Sequence, residues 1–208
     1  MSVIVTDHPI ISDCLARLRD RDTGPVEFRL YLKRAALALI CEAVRGIPLK
    51  RVKISTPLSR GEGEMLAGRH MVAVPVLRAG LGMLGAFLEL FPDAIVGMIG
   101  LRRNEKTFRP REYYHSLPDD LSRKITVILD PMLATGGSLL VAIALLKKKG
   151  ARDIRVVTLV AAPEGVARVE RRYPEVMVYT ASIDSHLNKN AYIVPGIGDA
   201  GDRIFGTD

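Results

Sequence analysis

The sequence predicts an α/β fold in which a mainly parallel sheet is covered by helices on both faces. Short runs of β-branched apolar residues alternate with longer amphipathic segments. The runs are continuously apolar rather than alternating, as strands buried on both faces require. The order strand, helix, strand, helix recurs along the chain, which is how parallel strands are connected.

Taken in order, residues 9–19 read as a helix with Pro9 at its start, where a missing N–H costs nothing. Thr23-Gly24-Pro25 opens a longer helix over 25–45, closed by Gly46. Strands follow at 51–56 and 71–77, with residues 61–68 read as turns. A helix over 80–91 stops at Pro92, and a strand covers 94–101. Residues 102–123 hold charge, two prolines and Tyr113-Tyr114 with little periodicity. So long a connection reads as a functional loop, a hairpin or a lid. A buried strand at 125–129 runs into a helix over 136–149, whose final lysines suit the negative end of its dipole. A strand at 154–162, a helix at 164–173 and a strand at 176–183 complete the rhythm. The tail from Asp184 is rich in Gly, Asp and Pro and reads as irregular. No repeat, low-complexity tract or linker interrupts the 208 residues, so a single domain over 1–208 is expected.

Composition excludes several classes. At 48% hydrophobic residues the chain can bury one sizeable core and is not disordered. Its apolar runs are broken by Arg78, Glu89 and Lys147, short of the ~18 residues of a membrane span. The start of the chain lacks a signal-peptide layout. Cys14 and Cys41 have neither metal nor redox spacing, so a cytoplasmic setting is expected. His8, His70, His115 and His186 show no metal spacing and read as structural or surface residues. The net charge of +7 fits either a soluble enzyme with an arginine-rich surface or a polyanionic partner, a nucleic acid or a phosphate-rich substrate, and charge alone does not separate them.

The strongest local signal is the string from Val127 to Ser138. A buried strand ends in Asp130, and Pro131, Met132, Leu133 and Ala134 lead into Thr135-Gly136-Gly137-Ser138 and then a helix. The glycines let the backbone approach an anion, and the free N–H groups of the helix start point at it. Thr135 and Ser138 add hydroxyl donors. Asp130 stands at the carboxyl end of its strand, where open α/β sheets bind ligands. No lysine follows the glycines, so the Walker pattern does not fit.

Residues 127–138 resemble the phosphoribosyl pyrophosphate (PRPP) loop of type I phosphoribosyltransferases. With Pro131 in place of a second acid, the loop is similar to that of the uracil phosphoribosyltransferases. The segments 75–83, 161–165 and 192–203 resemble further motifs of that family, in the same order and over nearly the full length. The resemblance implies the type I phosphoribosyltransferase fold: a central mainly parallel sheet flanked by helices, with a hood built from the chain ends. Residues 184–208 would form the uracil-binding part of the hood.

It also implies the reaction of uracil with PRPP to give UMP and diphosphate, in UMP salvage. By resemblance, Arg78, Asp130 and Asp199 are the catalytic candidates. Arg78, Arg103, Asp199 and the loop from Asp130 to Ser138 would bind PRPP. Ile193, Gly198, Asp199 and Ala200 would bind uracil, largely through main-chain groups. Mg2+ is expected to arrive with PRPP, with no residue of the chain assigned as a metal ligand. A homodimer or homotetramer is expected, with no nucleic acid or membrane partner, and a GTP effector is left open. Asp202 and Arg203 stand between a substrate role and an ion pair that braces the tail. The family pattern is departed from at Arg102, at Lys189-Asn190-Ala191 and in the loop 57–70. If position 191 needs a positive φ, alanine there costs about 1 kcal/mol. Two rivals are an RNA-binding regulator on the same fold and a transferase for another base.

Overall fold

The computed structural model describes residues 3–66, 71–103 and 110–207, with Arg103 described by its backbone alone. The elements are β1 (Val3–Val5), α1 (Pro9–Arg19), α2 (Pro25–Ala43), β2 (Leu49–Ser55), β3 (Arg60–Leu66), β4 (Met71–Leu77) and α3 (Leu81–Leu90). Then come β5 (Ile95–Val96), β6 (Met98–Arg103), β7 (Pro110–Ser116), β8 (Ile125–Leu129), β9 (Met132–Leu133) and α4 (Gly137–Lys148). Last are β10 (Asp153–Ala161), α5 (Pro163–Arg172), β11 (Met177–Ile183), β12 (His186–Leu187), β13 (Ile193–Val194) and α6 (Ala200–Phe205).

Among the described residues, the main sheet runs β1-β11-β10-β8-β4-β6-β7, with β5 on β4 and β9 on β10. Every pairing is parallel except β6 with β7. The period-two alternation of strand side chains divides the core in two. On one face Ala73, Val127, Leu129 and Val157 pack against Leu18, Phe28, Leu32, Leu39, Met83 and Phe87 of α1, α2 and α3. On the other, Val72, Val74, Ile128 and Val156 pack against Leu139, Ile143, Leu146 and Val169 of α4 and α5. Each fully buried Leu, Ile or Phe contributes about 1.5–3 kcal/mol, so both helix layers are held chiefly by this apolar contact.

The structure departs from the sequence reading in several places. Residues 60–66 are a strand, not turns, and pair with β2 in an antiparallel hairpin apart from the main sheet. Gly61 and Gly63 lie opposite Ile54 and Val52, and a Cβ at Gly63 would come within 3.3 Å of Ile54 Cδ1. Gly63 makes room for the Ile54 side chain, whereas a Cβ at Gly61 would meet nothing within 4 Å. The strand expected at 94–101 is divided at Gly97 into β5 and β6. In the segment 102–123, β7 makes the connection a hairpin with β6. β1, which the sequence reading left unassigned, pairs with β11. The tail is more ordered than expected, with a two-stranded β12–β13 ribbon and the helix α6. These elements are too short to show a period. Ala191, in the turn of that ribbon, has φ 58, the left-handed region where alanine costs about 1 kcal/mol.

The histidines fall largely as expected. His8 caps α1 by accepting from Ile10 N at 3.2 Å, and His115 contacts Glu112 at 2.5 Å. His186 contacts Ser185 at 2.9 Å, and His70 lies outside the described residues. Lys147 and Lys149 pair with Glu175 and Asp119, as a solvated helix end would.

Candidate active site

The carboxyl ends of parallel strands carry loops whose shape the sheet dictates, and here β4 and β8 lie side by side. Their following turns bound a cleft of about 270 Å3. One wall is Val76 to Ala79. The floor and the other wall are Asp130 and the loop from Met132 to Ser138. Leu101 and Pro110 of the β6–β7 hairpin close one side, and Asp199 and Gly201 of the tail close another.

The walls meet through glycines. A Cβ on Gly80 would stand 2.2 Å from Leu129 O, so only glycine lets the β4–α3 turn lie against the end of β8. Gly136, with φ 74, turns the chain into α4 so that the first N–H groups of the helix face the cleft end of the loop. The loop is also fixed from behind. Pro131 is buried, and its carbonyl accepts from Leu159 N at 3.0 Å and Val160 N at 3.2 Å. Leu133 O accepts from Ala162 N at 2.8 Å, and Arg168 Nη1 donates to Thr135 O at 3.2 Å.

Asp130 is buried, and its carboxylate accepts from Met132 N at 3.4 Å. Burial pushes its pKa up to about 7, with the Met132 N–H opposing the rise. Such a group changes charge near neutral pH. Arg78, by contrast, is exposed. Its Nη2 lies 3.3 Å from Asp202 Oδ1, and its guanidinium stands 5.8 Å from the Phe205 ring. The cleft therefore brings together a cation, a desolvated carboxylate and a helix start. That arrangement suits a ligand with a sugar between two phosphate groups.

Of the residues predicted from sequence, Arg78, Asp130, Met132, Leu133, Ala134, Thr135, Gly136, Gly137, Ser138 and Asp199 line this one cleft. Pro131 lies behind it. Arg103 ends β6 and pairs with Pro110, which lines the cleft, but its side chain lies outside the described residues. The uracil candidates divide: Asp199 reaches the cleft, whereas Ile193 and Ala200 are buried. Gly198 faces an outer hollow of about 630 Å3 shared with Arg19, Thr23 and Arg203. Of the two readings left open for Asp202 and Arg203, the ion pair between them is not what the structure shows. Arg203 does brace the tail, but by donating to the carbonyls of Leu18, Asp20, Thr23 and Ile197, and Asp202 turns to Arg78. Carbonyls exposed where α1 ends offer the guanidinium more acceptors than one carboxylate does. Sequence reasoning missed the role of Arg168, which carries no signal beyond its place on the polar face of α5.

The comparisons with known proteins agree with this geometry. The family model described as uracil phosphoribosyltransferase matches residues 5–207. A uracil phosphoribosyltransferase of Symbiobacterium thermophilum is 48% identical over 99% of this chain and 98% of its own. A solved structure from Aquifex aeolicus, 38% identical, superposes with a TM-score of 0.95 over 99% of both chains. A hypoxanthine-guanine phosphoribosyltransferase of Bacillus anthracis, 12% identical, shares the fold over 77% of this chain and 80% of its own, with a TM-score of 0.51. A full-length family match, a close relative of equal length and a shared type I phosphoribosyltransferase fold lead to one conclusion: the chain belongs to the uracil phosphoribosyltransferase family.

Proposed function

We propose that the chain transfers the phosphoribosyl group of PRPP to uracil, releasing diphosphate and giving UMP. The observation that carries this reading is the single cleft in which Arg78, Asp130 and the loop 132–138 meet at the carboxyl edge of the sheet.

In this reading the 5′-phosphate sits on the N–H groups at the start of α4, aided by Thr135 and Ser138. The ribose hydroxyls donate to Asp130. The diphosphate lies toward Arg78, whose planar fork matches its oxygens, and Arg103 is, by resemblance to the family, a second arginine for PRPP. As the bond from the sugar C1 carbon to diphosphate oxygen lengthens, positive charge builds on the ribose and negative charge on the leaving group. A desolvated Asp130 carboxylate answers the first and the arginines answer the second. Of the main-chain groups that the resemblance gives uracil, those at Gly198 are open to a hollow and those at Ile193 and Ala200 are buried, so uracil is met at Gly198, with Asp199 between base and PRPP. The edge of uracil reads acceptor, donor, acceptor. Cytosine would leave buried groups unpaired, which rejects a ligand strongly.

The cleft offers two carboxylates, Asp130 and Asp199, and the described residues contain no group of three or more metal-ligating side chains. That donor set fits Mg2+ bound mainly by the oxygens of PRPP and water, with Asp199 or Asp130 as a protein ligand. The ion would neutralise charge on the departing diphosphate. Cys14 and Cys41 are both free, which suits the cytoplasm we assign to the enzyme.

The test is diphosphate release from PRPP and Mg2+ with uracil, hypoxanthine, guanine or cytosine as acceptor. Release with uracil alone is expected, and failure with uracil overturns the reading.

A further inference from the structure

A main-chain recognition loop is only as selective as it is rigid, because its N–H and C=O groups cannot be re-aimed by a rotamer. The segment from Gly196 to Ala200 needs positive φ at Gly196 and Gly198, so it is a conformation held from outside. Gly196 is gripped at both of its main-chain polar atoms. Its N–H donates to Asp184 Oδ2 at 2.8 Å, and its carbonyl accepts from Arg19 Nη1 at 2.9 Å. The two side chains are themselves joined by paired bonds, Nη1 to Oδ2 at 2.7 Å and Nη2 to Oδ1 at 2.6 Å. Ser182 Oγ donates to Asp184 Oδ1 at 2.7 Å and accepts from Arg19 Nη2 at 3.3 Å.

Asp184 is buried at 6% exposure. Burial alone would raise its pKa, but the bonds from Arg19, Ser182 and the Gly196 N–H outweigh this and hold the carboxyl below its ordinary value. A buried ion pair is weak evidence for stability, since apolar packing does as well or better. What this pair supplies, and apolar packing does not, is direction: one donor and one acceptor fixed on one peptide unit. Asp184 lines neither the cleft nor the outer hollow, and Arg19 borders that hollow beside Gly198 with both terminal nitrogens engaged by Asp184, Gly196 and Ser182, so both act through the loop.

We propose that Arg19 and Asp184 are positioning residues that set base specificity, holding Gly196 so that the main chain at Gly198 and Asp199 presents a fixed edge to uracil. This rests on the uracil reading of that loop given above.

The test is steady-state kinetics of Asp184→Asn, Arg19→Lys and Ser182→Ala, with uracil and PRPP varied separately and cytosine as competitor base. The KM for uracil should rise roughly tenfold or more in the first two and about two- to fivefold in Ser182→Ala, and the KM for PRPP should stay within about twofold. The preference for uracil over cytosine should narrow in the same order. Asp184→Asn leaves an arginine unpaired and can fail to fold. Ser182→Ala, which removes a single hydroxyl, then decides. Folded variants whose two KM values rise together, or whose uracil KM and base preference do not move while the melting temperature falls, reduce the pair to a structural brace and overturn the proposal. Wild-type protein that ignores uracil overturns the underlying reading instead.

Discussion

Arg78 Nη2 lies 3.3 Å from Asp202 Oδ1, tying the arginine that faces the cleft to a helix 124 residues further along the chain. The pair is exposed, at 56% for Arg78 and 37% for Asp202, so it contributes at most about 1 kcal/mol to stability. Its consequence is for binding. A guanidinium held by a carboxylate must exchange that partner for the diphosphate of PRPP.

Asp202→Asn should therefore lower the KM for PRPP about two- to fivefold at low ionic strength, and less at high salt where exposed charges are screened. The melting temperature should barely move. PRPP titrations at two salt concentrations check this, and a higher KM in the variant would show that Asp202 aims Arg78 rather than competing for it.

Asp130 carries a pH dependence with opposite signs for activity and stability. Its folded pKa, about 7, stands above the ordinary 3.8. Between these values the folded state binds more protons than the unfolded one, so stability falls as pH rises from about 4 to about 7. Activity moves the other way, because the carboxylate is the form that accepts from ribose: kcat/KM for PRPP should rise through about pH 7. Asp130→Asn should be more stable than wild type at pH 8, by on the order of a few kcal/mol, and have a flattened stability profile. It should also use PRPP poorly at every pH. Chemical denaturation at pH 5 and pH 8 beside PRPP kinetics checks both arms. A variant less stable than wild type at pH 8 would place another charge against Asp130.

Gly165 tests how α5 shapes the phosphate loop. A Cβ there would stand 2.2 Å from Ala134 O and 3.0 Å from Leu133 O, both backbone atoms that cannot swing aside. Gly165→Ala must push the loop off the helix start, at about 1–3 kcal/mol of stability by analogy with overpacked cores. The KM for PRPP should rise about tenfold or more, while the variant remains folded at 25 °C. Unchanged PRPP kinetics would show that the loop reaches its working shape without this contact.

The fold was legible where side-chain chemistry repeats. The β-branched runs of β4, β8 and β10 are buried on both faces, so nearly every residue carries the same signal. The phosphate loop was legible because strand, acid, glycines and helix are contiguous in sequence. Of the β2–β3 hairpin, β2 was legible and β3 was not, since both faces of the hairpin are largely exposed and Gly61 and Gly63 read as turn residues. Arg168 and the Arg78–Asp202 pair escaped notice for a different reason: each joins residues far apart in sequence, and nothing in the local pattern of a lone arginine or aspartate distinguishes a tether from a surface charge.

Arg78 itself gives the sharpest test of the cleft. Its side chain is exposed, pairs with Asp202 and stands 5.8 Å from the Phe205 ring, so little of the fold depends on it. Arg78→Ala should leave the melting temperature nearly unchanged and cut kcat/KM for PRPP by about 10²–10³, the range seen when one preorganised donor to developing negative charge is removed. Arg78→Lys restores the charge without the fork. If the guanidinium binds two diphosphate oxygens at once, lysine should recover only a minor part of the lost rate, because a point charge cannot reproduce the paired geometry. Full recovery by lysine would mean that only charge matters at this position. Unchanged kinetics in the alanine variant would remove Arg78 from the site and leave the leaving group without the partner that the cleft provides for it.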